Sequence, residues 1–353
     1  MQPPAADVAP DPAESGAPDE TRPGTPVWRT AVSLVVGLTL LGVLIYYADV
    51  DKIHDRMGEL GWSSPVVLLP WVVIACLDAL GWRCTLPAAA VARVPFASLV
   101  LVRMAGEAVN SVTPTAAVGG EPVKAHLLRA WGVSASDSLA SIVIAKTALT
   151  ASQSLFVVFG VAALCVDWER REVAIGVVAL LLLATAGFTF MLVRLQRRRP
   201  LSTVWTWARR IAPRSRLLAR LEPGAHAIDA RLAEFYRMEP QAFWRATGWH
   251  LSGWLFGVVE VFLIMRLIGA PVSWLDALVV EALSQPIRAA SVIIPGGLGT
   301  QEWGGVELCR MIGMPEDVGA TLWLLKRGRE MVLDGIGLAY LVHRTGLRGA
   351  TEA

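Results

Sequence analysis

Asn110-Ser-Val-Thr-Pro114-Thr-Ala-Ala-Val-Gly119-Gly120-Glu121 and Val292-Ile-Ile-Pro295-Gly296-Gly297-Leu-Gly299-Thr-Gln301-Glu302 carry one message twice. Each is a Pro/Gly-rich break between apolar segments, and each ends on a glutamate. Pro and Gly interrupt helices, and a backbone freed from helical hydrogen bonds cannot face lipid. At membrane depth it must be buried in protein or line a polar cavity. Breaks at corresponding positions of two halves point to a transporter's binding site. Glu302 follows Glu121 by 181 positions, and Pro295 follows Pro114 by the same interval. That register also pairs Arg129 with Arg310, Gly132 with Gly313 and Lys146 with Arg327. Over roughly fifty positions only about six residues are identical, so the count alone is weak. The concentration at the breaks, with a cation repeated inside an apolar span, carries the argument for an internal repeat.

A hydrophobic fraction of 54% against 18% charged residues, with a mean hydropathy of +0.50, excludes an ordinary soluble domain. Apolar runs near the ~20 residues that cross a bilayer support a membrane class. Crossings are expected at 28–48, 65–82, 136–165, 173–193, 243–268 and 317–342. Two further apolar segments, 96–112 and 274–294, lead into the breaks and turn directly into short amphipathic pieces. Three crossings separate the breaks, so the two hairpins enter from opposite faces. The expected fold is therefore all-α and polytopic: six full spans plus two re-entrant helical hairpins in an inverted repeat. The alternative is eight spans, with each break in a loop.

Residues 1–26, rich in Pro, Ala, Asp and Glu, read as a disordered tail without the pattern of a secretory signal. The membrane domain is expected over 27–345, with halves at about 62–194 and 241–345, a linker at 195–240 and a C-terminal tail at 346–353. The linker carries ten arginines from Arg197 to Arg237, which places it in the cytoplasm together with both termini. Arg170 and Arg171 fall on the outer side by that count. The linker reads as an interfacial helix, with Trp205 and Trp207 in the headgroups, or as a site for anionic lipid. No nucleic-acid-binding fold accompanies the charge. Cys76, Cys84, Cys165 and Cys309 show no CxxC or Cys/His spacing, so neither a metal site nor a disulfide is expected.

Ionisable residues inside apolar spans usually face a bundle interior and suggest function. Arg103, Glu107 and Asn110 share one helical face, and the first two have the spacing of an i,i+4 pair. Lys146 stands alone in a neutral span and needs a carboxylate or a ligand anion. Lys326, Glu330 and Asp334 share a face, while Arg327 and Arg329 point elsewhere. Glu281, Gln285 and Arg288 approach the second break, and Glu260 is a further candidate buried acid. The substrate-binding candidates are thus Arg103, Glu107, Asn110, Lys146, Gln285, Arg288, Lys326, Arg329 and Glu330. The structural reading of the same residues is a network tying helices together. Pro114, Gly119, Gly120, Glu121 and Pro295, Gly296, Gly297, Gly299, Gln301, Glu302 are read as hairpin residues. Either glutamate is favoured by the dipole of a first helical turn, and either could close its hairpin onto Lys146 or Arg327. Backbone N–H groups around Gly119–Gly120 and Gly299–Thr300 could cradle an anion.

The chain resembles the lysylphosphatidylglycerol synthase transmembrane-domain family of flippase-like proteins, most nearly its hopanoid-biosynthesis-associated members. The resemblance lies in Leu77-Asp-Ala-Leu-Gly-Trp-Arg83, in Gly106-Glu-Ala-Val-Asn110 through Glu121, in Glu281-Ala-Leu-Ser-Gln285 through Arg288 to Glu302, and in Leu324-Leu-Lys-Arg-Gly-Arg-Glu330. Well-known members carry an aminoacyl-transferase domain after the membrane part, whereas this chain ends at Ala353. The resemblance therefore implies lipid translocation in a bacterial inner membrane, through a wet, positively lined chamber between the hairpins. Lys146, Arg288, Lys326 and Arg329 would meet an anionic headgroup, and Glu107 or Glu330 would carry protons. No cofactor is expected, and no GxxxxGK[ST] loop is present. The expected partner is a membrane lipid, with an anionic headgroup or a hopanoid skeleton; lipid-biosynthetic enzymes are further candidates. Two other readings stand beside this one: a scaffold for such enzymes, and an intramembrane transferase using His126 with Glu121.

Overall fold

The computed structural model describes residues 66, 68–113, 118–165, 171–198, 200–211, 215–270, 272–291, 294 and 297–351. The expected crossing at 28–48, together with Pro114, Pro295 and Gly296, lies outside them. Among the described residues there is no strand. The first half holds α1 (Leu69–Arg83), α2 (Ala88–Arg93), α3 (Phe96–Val112), α4 (Gly120–Leu128) and α5 (Ala135–Leu164). α6 (Arg171–Arg197), α7 (Pro200–Ile211) and α8 (Arg216–Met238) follow. The second half holds α9 (Pro240–Leu267), α10 (Trp274–Ala290), α11 (Thr300–Met311) and α12 (Glu316–Thr351).

The helix starts are written locally. α1 and α9 open with Pro70 and Pro240 in the first turn, where a missing N–H leaves no hydrogen bond unmade. The Ser134 hydroxyl of α5 accepts the Asp137 N–H at 3.0 Å. Ser273 and Asp276 form a reciprocal capping box on α10, which satisfies two otherwise orphaned donors.

Three described helices are long and apolar enough to cross a membrane: α5, residues Val178–Arg197 of α6, and α9. They correspond to the expected crossings at 136–165, 173–193 and 243–268. The crossing at 65–82 appears as α1, whose 15 residues span only ~22 Å at 1.5 Å per residue. The segment expected to cross at 317–342 forms α12, 36 residues long but interrupted by the charges from Lys326 to Asp334; neither it nor α1 is among the three. α6 turns apolar side chains outward, Leu183 being 72% exposed. A lipid-facing surface has this character, and burial in protein would remove it.

The 181-residue register extends from residues to whole elements. Shifted by that interval, α1 falls inside α9, α4 falls inside α11, and the start of α5 meets the start of α12. Packing follows the same correspondence: α12 lies against α3 of the first half, and α5 lies against α10 of the second. α1 packs along its counterpart α9. Each half has its own core, one around Trp82, Leu99, Val102 and Leu128, the other around Ile264, Val280, Leu322 and Trp323. A third cluster seats α8 against α5 and α9 through Leu232, Tyr236 and Phe243.

In the linker, α7 and α8 form a hairpin. The fully buried carboxylate of Asp229 accepts from Leu201 N (3.2 Å), Ser202 N (2.6 Å) and the Ser202 hydroxyl (2.6 Å). It thereby caps the start of α7 from the neighbouring helix. Trp207 on α7 is 63% exposed, while Trp205 is half-buried.

Candidate functional site

The two breaks are built differently. At the first, Gly120 approaches Gly106 so closely that a Cβ on Gly120 would lie 1.9 Å from the Gly106 carbonyl oxygen. Glycine is needed there to let α4 cross α3. The Asn110 side chain accepts the Gly120 N–H at 2.7 Å, and the Glu121 N–H goes to the Val118 carbonyl at 3.2 Å. Those donors are spoken for, so the expected anion cradle at Gly119–Gly120 does not form. At the second break, Gly297 and Gly299 have φ of 62° and 74°, a region that L side chains enter only with strain. A Cβ on Gly297 would also strike the Gln301 amide.

Both terminal glutamates lie in a first helical turn, and both close onto the cations expected for them. Glu121 meets Lys146 at 2.6 Å, and Glu302 pairs with Arg327. These are repeat-equivalent ion pairs, each clamping the return helix of a hairpin to the long helix that follows.

The remaining charges pair across helices. Arg103 and Glu107 do not neutralise each other, contrary to expectation. Arg103 binds Asp78 of α1 at 2.8 Å, and Glu107 binds Lys124 of α4 at 2.6 Å. The base-first i,i+4 order is the weaker one, and neighbouring helices offer closer carboxylate and amine partners. Lys124 also reaches Glu121 at 3.2 Å. In the second half, Lys326 binds Glu281 and lies 3.9 Å from Glu260. Arg329 pairs with Glu260. Glu330 collects Arg288 at 2.8 Å, Arg327 at 2.9 Å and Arg329 at 3.4 Å. Glu260 is 1% exposed, a buried acid as its setting suggests.

Between the hairpins lies a cavity of about 410 Å³. α1, α3, α5, α9, α10 and α12 line it, together with Ile294, Gly297 and Gln301 around the second break. Of the sequence candidates, Arg103, Glu107, Asn110, Arg288, Arg329 and Glu330 come together on its wall. Lys146, Gln285 and Lys326 lie outside the lining set. Lys146 sits behind it on Glu121, and Lys326 is buried at 2% exposure. Gln285, also buried, accepts a hydrogen bond from the Gln153 amide at 3.2 Å.

The lining is not predominantly positive. Arg103, Arg288, Arg327 and Arg329 are matched by Asp78, Glu107, Glu260, Glu281, Glu330 and Asp334. An unpaired arginine within the bilayer would carry a large desolvation penalty, and pairing with carboxylates removes most of it. Asp78, His250 and Lys124 were not among the sequence candidates. His250 Nδ1 and Asp78 Oδ1 are 2.8 Å apart across the α1–α9 contact, and the ring sits where a side chain on Gly81 would lie. An acid at the middle of an apolar span was a visible signal for Asp78. His250 carried the same signal, an ionisable side chain inside the apolar segment 243–268, whereas Lys124 lies outside the expected spans, three residues from Glu121 on the same helix. Among the described residues no group of His, Cys, Asp and Glu is arranged to hold a metal.

The sequence profile of the family described as "Lysylphosphatidylglycerol synthase TM region" matches residues 30–336. The chain belongs to this family. A role related to membrane lipid suits its apolar helices and the cavity with charged side chains between them. A protein of Methanothermobacter thermautotrophicus described as "UPF0104 membrane protein" is 24% identical over 313 residues, covering 85% of this chain and 90% of that protein. No solved structure matches.

Proposed function

We propose that the protein moves a lipid or lipid-linked intermediate between membrane leaflets, passing its polar headgroup through the cavity between the hairpins. The cavity itself carries this reading: about 410 Å³ of space, with charged side chains on an otherwise largely apolar wall, at the junction of two repeat-related halves. In the proposed arrangement α3 and α10 descend partway from opposite faces, and α4 and α11 return. At 9 and 12 residues, the return helices reach only ~14–18 Å, about half of a ~30 Å hydrocarbon core. That length favours re-entrant hairpins over eight complete spans.

The mixed lining favours a headgroup with polar or zwitterionic character. A cargo with an apolar skeleton, such as a hopanoid, would present its polar substituent to the cavity and its skeleton to lipid. We place the protein in a bacterial inner membrane with both termini in the cytoplasm, on the strength of the arginine-rich α7–α8 hairpin. We assign it no catalytic role of its own. His126 is exposed, whereas Glu121 is buried and committed to Lys146 and Lys124.

The test is headgroup-labelled lipid in vesicles containing the purified full-length protein, with the quencher-accessible fraction followed in time. Faster, headgroup-dependent movement than in protein-free vesicles is expected; none with folded protein refutes the proposal. The scaffold reading draws on the fact that every lining cation is already paired. It predicts that a folded Arg288→Met variant complements a deletion fully, whereas the transport reading predicts loss.

A further inference from the structure

The arginine-rich linker is a sequence feature that the proposed lipid movement leaves unused. Between Val173 and Leu221 the chain has no acidic residue, and from Arg194 to Arg220 it carries nine arginines. α6 is apolar and outward-facing nearly to its end, Leu195 being exposed. Two residues separate that end from Pro200, which opens α7 and lacks the N–H that a continuous helix would need there. The junction is fixed from within. Gln196 of α6 donates to Thr147 of α5 at 2.6 Å and accepts from the Tyr236 hydroxyl of α8 at 2.6 Å. α8 in turn holds the start of α7 through Asp229. α7 is thus seated where an apolar, membrane-length helix ends.

The two faces of α7 are not arranged for water. Ser202 and Arg209, seven positions apart on one side, bind Asp229 and Glu222 of α8. On the opposite side Val204, Trp207 and Ile211 form a stripe at helical spacing, with Leu201 at its edge, and all four are exposed. Arg209 is matched by Glu222 at 3.0 Å. Arg198 and Arg210 are exposed, and among the described residues they make no ion pair.

We propose that α7 lies in the headgroup layer of an anionic membrane surface, its stripe against the acyl chains and its arginines on lipid phosphates. An amphipathic helix with basic flanks binds in this way, by apolar burial and by attraction to anionic headgroups. Charge selects the occupant: arginines without intervening acids repel a second copy of the same segment and attract a phosphate-rich surface. Continuity with the lipid-facing side of α6 points to the same partner. Docking of this kind fixes the linker between the two halves to the bilayer and makes it sensitive to anionic lipid content. The proposal requires α6 to cross the membrane; it does not require lipid movement.

Hydrogen–deuterium exchange on the full-length protein, one copy per lipid nanodisc, tests the contact. Discs of phosphatidylcholine alone are compared with discs in which phosphatidylglycerol replaces half of it. Exchange across α7 is expected to slow by about fivefold in the anionic discs, the scale of one arginine near an anionic surface, with α9 unchanged. Arg198→Gln/Arg210→Gln should lose most of that difference. Trp207→Ser/Ile211→Ser should raise exchange in both kinds of disc, because the apolar contact is lost whatever the headgroup. Unchanged exchange in α8 and α9 reports that each variant folds. Should one not fold, the wild type at about 0.1 M and about 1 M salt supplies the measurement, the difference between lipids shrinking as the charges are screened. Equal exchange in the two lipids, folded variants indistinguishable from the wild type, or a difference undiminished by salt overturns the proposal. So does protection that appears only in discs holding two copies, which makes the stripe a contact between copies of this chain.

Discussion

Replacing Arg327 with methionine separates two ion pairs that the repeat makes equivalent. Glu302 is 1% exposed, and among the described residues Arg327 is its one ion-pair partner. Its Oε2 has no hydrogen-bond partner even in the intact protein. Removing the guanidinium strands a buried carboxylate, a loss of ~3–5 kcal/mol. Lys146 differs in two respects. Its side chain is 41% exposed, and Glu121 would keep Lys124 at 3.2 Å. Lys146→Met should therefore cost about 0.5–1 kcal/mol, the scale of an accessible pair. The gap between them, ~3 kcal/mol, is more than a hundredfold in the folding equilibrium. Glu302→Gln leaves Arg327 with Glu330 at 2.9 Å, so the double variant Glu302→Gln/Arg327→Met should be more stable than Arg327→Met alone. Reversible unfolding in mixed micelles, titrated with denaturing detergent, gives all four values. Equal losses for Lys146→Met and Arg327→Met would refute the reasoning, as would a double variant no better than Arg327→Met.

Four other outcomes follow from the hairpins and the linker. Asn110→Ala removes the acceptor for the Gly120 N–H at 2.7 Å and should lower stability by about 1 kcal/mol, read in the same titration. Gly299→Ala meets a φ of 74° and should cost ~1–2 kcal/mol in backbone strain. Gly120→Ala has an ordinary φ but collides with the Gly106 carbonyl, so it should separate α4 from α3 and lower stability in the same titration by more than Asn110→Ala does. Asp229→Ala removes three hydrogen bonds at the start of α7 and should expose that segment to limited proteolysis without changing the protease pattern of α9.

The helix pairs flanking the two breaks were legible because breaks and charges recur at a constant interval. The apolar segment at 96–112 coincides with α3, and Glu121–Lys146 and Glu302–Arg327 follow from the same register. What the sequence could not supply was the third dimension around each charge. Arg103 and Glu107 share a helical face, yet Asp78 and Lys124 reach them from other helices. A run of cations in an apolar chain suggests a positive chamber; the acids that cancel it come from five separate helices. The glycines at the two breaks also hid a difference, since Gly120 serves close approach and Gly299 a backbone angle.

The ion pairs sort themselves by half. Among the described residues, Asp78, Arg103, Glu107, Glu121, Lys124 and Lys146 are satisfied within the first. Glu260, Glu281, Arg288, Glu302, Lys326, Arg327, Arg329 and Glu330 are satisfied within the second. Of these pairs, only Asp78–His250 bridges the two. A rigid-body tilt of either lobe would therefore carry its neutralised charges along intact. Resistance to such a tilt would come from apolar contact, that single histidine bridge and a few neutral hydrogen bonds.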